Sequence, residues 1–109
     1  MRYFFIVFLI TAFSFPAAAA HYDNAGTLRQ FCQSGYDTDY GYCAGFLTAI
    51  ADVMMDHSAY GYTACVAPNI KPQQLTDNII AYMDAFQVDP LMPAKEYVAA
   101  MLADRFPCR

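Results

Sequence analysis

The sequence predicts an all-α fold, a small four-helix bundle stapled by two disulfides. Three observations predict it. Apolar residues recur at i, i+3, i+4 and i+7 in successive stretches, the spacing of helices with one face in a core. No stretch alternates apolar and polar residues for long enough to form a strand. Four cysteines, Cys32, Cys43, Cys65 and Cys108, stand in a chain of only 109 residues.

Residues 1–20 read as a signal peptide rather than as part of the fold. Arg2 and the free amino terminus make a positive start, Tyr3 to Phe15 form an apolar segment, and Ala18, Ala19 and Ala20 offer a small-residue cleavage site. A membrane anchor is the competing reading. Against it, the apolar segment is shorter than the roughly 20 residues a spanning helix needs, and Pro16 interrupts it. Cleavage after Ala20 leaves His21 as the new terminus, with no cysteine beside it to carry a lipid. The expectation is export, with no membrane attachment after cleavage.

The remaining segment, 21–109, is 89 residues long and reads as one domain. His21 to Gly26 form a polar lead. Thr27 is placed to cap a first helix through Leu28, Phe31 and Cys32, which Gly35 stops. Thr38 or Asp39 then caps a second helix, Tyr40 to His57, with Asp39 also suited to the positive end of its dipole. Cys43, Phe46, Leu47, Ile50, Val53, Met54 and His57 mark its buried stripe, which places this helix at the centre of the fold. Gly41, Gly45 and Ala49 form a second, nearly bare surface where another helix of the chain or of a sister subunit can approach closely. Thr48, Asp52 and Asp56 face water. Ser58 to Asn69 break the periodicity and form a loop pinned by Cys65. Pro72 opens a third helix whose buried face is Leu75, Ile79, Tyr82, Met83 and Phe86. After Asp89, Pro90 and Pro93, a fourth helix from Ala94 to Arg105 buries Tyr97, Val98, Met101 and Leu102.

A domain this small is near the limit at which a hydrophobic core suffices, and an even number of cysteines in an exported chain reads as a disulfide framework. Zinc is the competing use of the cysteines, but no pair is spaced C-x-x-C and His21 and His57 stand in no finger-like arrangement, so no metal is expected. Short connections make neighbouring helices antiparallel. The end of the first helix then meets the start of the second, and the loop after the second meets the end of the fourth. Among three connectivities, this favours Cys32 with Cys43 and Cys65 with Cys108.

Charge and chemistry narrow the function. Beyond residue 20 there are five basic residues against ten acidic ones, so nucleic acid, which demands a clustered basic face, is excluded as a partner. An acidic surface suits a basic protein partner or simply keeps the domain soluble. With the cysteines bridged there is no free thiol, and Ser34 and Ser58 lack a nucleophile-elbow context. Asp52 and Asp56 lie one turn apart on a wet face while His57 follows the apolar stripe, so no catalytic cluster forms. There is no glycine-rich phosphate loop and no cofactor fingerprint. The protein therefore reads as a non-enzyme without cofactors.

The order of features carries a resemblance. Cys32, the run Gly41-Tyr42-Cys43-Ala44-Gly45-Phe46 followed by Ile50, Cys65 with Pro68, Gln73 or Gln74, Tyr82 and the terminal Phe106-Pro107-Cys108 resemble the Tai/Rap family of immunity proteins, which protect bacteria against type VI secretion amidase effectors. One departure is that proline stands three residues after the third cysteine, where such proteins tend to have it two after. The resemblance implies a small helical, disulfide-bonded periplasmic protein that binds a cell-wall amidase and covers its active site, and that forms a homodimer in several members. Tyr60 and Tyr62, aromatic and beside Gly61 in the loop, are candidate partner-binding residues, the alternative being that both fold back over the end of the bundle. Asp52 and Asp56 are candidates for charge complementarity. An acid-stress periplasmic chaperone that binds unfolded clients is the alternative function, disfavoured by the scarcity of basic residues. A peptidoglycan-active enzyme lacks candidate catalytic groups.

Overall fold

The computed structural model describes residues 22–109; the segment read as a signal peptide, and His21, lie outside the described residues. Among the described residues there are four helices and no strand: α1, Ala25–Gln33; α2, Asp37–Asp56; α3, Pro72–Met83; and α4, Ala94–Arg105. Each helix contacts the other three.

Helix α1 starts earlier than Thr27. Asn24 is its cap, and its side-chain oxygen accepts a hydrogen bond from the Thr27 amide at 2.8 Å. Asparagine at this position satisfies one of the four orphan donors of a helix start, and Thr27 then lies inside the first turn. Gly35 adopts a φ of 82°, the left-handed conformation that ends a helix without a Cβ penalty. Helix α2 also begins earlier than expected. Thr38 and Asp39 lie within its first turn, the N-cap is Tyr36 without a side-chain bond, and Asp37 and Asp39 complement the dipole. Pro72 occupies the first turn of α3, and Gln74 Oε1 accepts from the Lys71 amide at 3.1 Å. Helix α3 ends at Met83, so Phe86 belongs to the following loop, where its ring packs on Tyr82 and Tyr97.

The most buried helix is α4, while α2 has the most extensive contacts with the other three, as expected of a central helix. Ala94, Tyr97, Val98, Ala99, Ala100, Met101 and Leu102 are all buried, which leaves α4 with little outer face. Its charged residues stand at the two ends, Lys95 and Glu96 at one and Asp104 and Arg105 at the other, and between them the small Ala99 and Ala100 let neighbours close in on sides where larger residues would hold them off. Helix α2 buries a narrower stripe, Cys43, Leu47, Ala51 and Met54. That stripe is rotated from the expected one: Phe46 and Ile50 are half-buried, Val53 is 51 % exposed and His57 is exposed. The neighbours approach α2 along its alanine, Ala51, where the backbone can be reached closely.

Disulfides join Cys32 to Cys43 and Cys65 to Cys108, with Cα separations of 5.1 and 4.9 Å. The first ties α1 to α2. The second fastens the long 57–71 connection to the chain end, beside a backbone bond from the Cys65 amide to the Phe106 carbonyl at 2.8 Å. The loop between α3 and α4 is fixed as firmly. Ala25 and Gly26 donate backbone bonds to Met92 and Pro90, and Ala94 donates to Asp23, so the start of α1 is laced to residues 90–94. A Cβ on Gly26 would come within 3.1 Å of the Pro90 side chain, which explains glycine at this close approach.

One buried group is left over. Tyr97 is 1 % exposed, and its hydroxyl has no hydrogen-bond partner among the described residues. Burial raises its pKa above the ordinary value, with Arg29 opposing and Asp84 reinforcing the shift. Because the folded state resists ionisation of this phenol, its stability is intact below the ordinary tyrosine pKa of about 10 and falls as pH rises through the folded value. Tyr97→Phe removes the unpaired hydroxyl at constant ring shape. The variant is expected to be more stable by about 1 kcal/mol at neutral pH and to lose less stability in alkali, both read from urea unfolding at several pH values.

Candidate partner-binding site

The connection from α2 to α3 opens with a two-residue reversal. Ala59 and Tyr62 exchange backbone hydrogen bonds at 3.0 and 2.9 Å, with Tyr60 and Gly61 at the tip. Both tip residues have positive φ, 53° and 80°, the signature of a type I′ turn. Glycine suits its place, because it has no Cβ to clash. Tyrosine does not: a bulky residue at positive φ is a genuine outlier. The two tyrosines then part company. Tyr62 is half-buried and packs against the hydrophobic core, whereas Tyr60 stays 48 % exposed with the Lys95 ammonium 5.3 Å from its ring centre.

Asp52 and Asp56 are both exposed on α2. Asp52 lines an open groove of about 350 Å³ between α2 and the start of α3, together with Gly45, Ala49, Met55, Ile70 and Leu75. The bare surface expected to receive another helix of the same chain receives none. Gly41, Gly45 and Ala49 are exposed, and a Cβ built on either glycine meets nothing within 4 Å. The helices gather on the opposite side of α2, where Cys43, Leu47 and Ala51 are buried.

Leu91 went unremarked in the sequence. It is 73 % exposed in the laced loop before α4, where its amide donates to the Asp89 side chain at 2.9 Å. An apolar residue bracketed by Asp89-Pro90 and Pro93 was the available signal, since such a loop cannot easily turn inward. Leu91 and Tyr60 both adjoin the first turn of α4, one preceding it in the chain and the other resting against Lys95. Each displays its side chain on a short, hydrogen-bonded support.

Among the described residues no group of three or more histidine, cysteine, aspartate or glutamate side chains is placed to hold a metal, and no helix is long and apolar enough to cross a membrane. Residues 24–108 match the family model of the Rap1a immunity proteins. The chain belongs to the Rap1a immunity protein family. The match begins at the Asn24 cap and ends at Cys108, so it takes in all four helices and both disulfides. Family membership implies a toxic effector as partner. No curated protein and no solved structure matches the chain.

Proposed function

We propose that this Rap1a family protein is a periplasmic immunity protein that binds a type VI secretion peptidoglycan amidase, covers its active site and so spares the wall of the producing cell. The match to the immunity family over residues 24–108 carries the reading. The signal-like segment 1–20 and two disulfides, which persist in oxidising compartments, support periplasmic action. Inhibition is steric and the protein itself performs no chemistry. Of the four candidates, Tyr60, Asp52 and Asp56 make up the proposed contact region, and Tyr62, half-buried against the core, seats the turn beneath Tyr60.

The test is a titration of the mature domain into a type VI amidase encoded beside its gene, with release of peptidoglycan fragments as readout. Activity is expected to vanish at equimolar protein. Full amidase activity in the presence of excess domain, or binding of many unfolded proteins at acid pH alone, would overturn the proposal, the latter in favour of a chaperone.

A homodimer is part of the same proposal, with the open Gly41, Gly45 and Ala49 surface of α2 as the place where a sister helix packs. A Cβ on Gly41 or Gly45 meets nothing within the subunit, and Ala49 is exposed. Gly45→Arg combined with Ala49→Arg is therefore expected to leave helicity and melting nearly unchanged while converting a dimer to a monomer in sedimentation. A variant that remains dimeric would show that the subunits meet elsewhere.

A further inference from the structure

The turn at Tyr60 holds a conflict between local preference and the residue present. Type I′ turns favour asparagine, aspartate or glycine at their first central position, because these residues tolerate positive φ. Tyrosine at a φ of 53° is strained there, and its ring remains half in water rather than filling the core. Tyr62, three residues along the same reversal from Ala59, is the one that packs inward. Within the fold the ring has the Lys95 ammonium against it but no place in the core. Strained conformations of this kind gather where a side chain must be held in a fixed place for binding.

We propose that Tyr60 is the anchor residue for the effector, displayed on a strained turn for that purpose, and that Tyr62 only seats the turn. This rests on the proposed role as an inhibitor of a secreted amidase. The ring is carried on a convex, hydrogen-bonded reversal and backed on one side by the Lys95 ammonium, so little freedom is lost when it is buried. Its complement is a concave, apolar cleft in the partner protein, of the kind an enzyme offers its substrate.

The experiment compares wild type, Tyr60→Asn and Tyr62→Leu for melting temperature and for affinity to the amidase encoded beside the gene. Asparagine relieves the strain, so Tyr60→Asn is expected to melt at or above the wild-type temperature while binding roughly thirtyfold more weakly. Tyr62→Leu keeps apolar bulk under the turn and is expected to bind within about twofold of wild type. Tyr60→Asn that binds as tightly as wild type would overturn the anchor role while leaving the inhibitor role intact. A large fall in its melting temperature would equally overturn the proposal, by showing that the ring belongs to the fold. Wild-type protein that fails to bind the amidase would remove the inhibitor reading itself, and the anchor role with it.

Discussion

Reduction of both disulfides is expected to unfold this domain at room temperature, with loss of most helical circular dichroism. The chain-entropy argument supplies the scale. The Cys65–Cys108 bridge spans 43 positions and the Cys32–Cys43 bridge spans 11, for which closure of the unfolded chain is worth about 4 and about 3 kcal/mol. Native domains are stable by about 5–15 kcal/mol, and one this small sits toward the lower end. Loss of both bridges therefore consumes most or all of the margin. Separate variants rank them: Cys65→Ala with Cys108→Ala should cost more than Cys32→Ala with Cys43→Ala. The longer loop is one reason. The other is that the 57–71 connection is held to the chain end only by that bridge and by neighbouring contacts such as the Cys65–Phe106 backbone bond. Urea unfolding with and without reductant measures both effects. Reduced protein with unchanged helicity and an unchanged melting curve would show that the core alone suffices.

Leu47→Ala is expected to cost about 3 kcal/mol, close to the loss of a disulfide. Leu47 is fully buried on α2, between Cys43 and Ala51 on the stripe that faces the other helices. Truncating it removes apolar contacts and leaves a cavity that the surroundings can only partly fill, because the Cys32–Cys43 bridge one turn away restrains α2 from shifting inward. In the oxidised protein the variant should remain folded but melt well below wild type. In the reduced protein it should have no folding transition. An effect below about 1 kcal/mol would mean that α2 can move to close the gap. Substitution of Val53, half-exposed on the same helix, should by contrast stay within about 0.5 kcal/mol.

The existence and type of the four helices were legible in the sequence, and the bounds of α4 were read directly between Pro93 and Phe106. Legibility was poorer where side chains compete for a cap. Thr27, Thr38 and Asp39 all have capping chemistry, but Asn24 could cap α1 because backbone bonds from Ala25 and Ala94 hold its neighbourhood against the loop before α4. Within the proposed contact region the sequence did not separate Tyr60 from Tyr62. Both are tyrosines beside Gly61, and which of them points inward depends on a reversal whose handedness the residues do not specify: Tyr60 is a poor choice for the positive φ it adopts. Leu91 was overlooked for a related reason, since a single leucine between aspartate and prolines gives no periodic signal.

By itself the sequence determined the all-α class, the helix count, the cysteine framework of a small domain and the resemblance to an immunity family. These depend on local periodicity and on the spacing of a few distinctive residues. Only the tertiary structure decided that α4 is the most buried helix, that α2 turns a different stripe inward, and that Gly41 and Gly45 are left open rather than covered. Burial is set by which neighbours approach a helix and from which side. The alanines in the middle of α4 permit close approach from several sides, and the neighbours of α2 meet it along Cys43, Leu47, Ala51 and Met54 rather than along the expected stripe. Periodicity gives the direction of a face, but the packing of all four helices determines which face is filled.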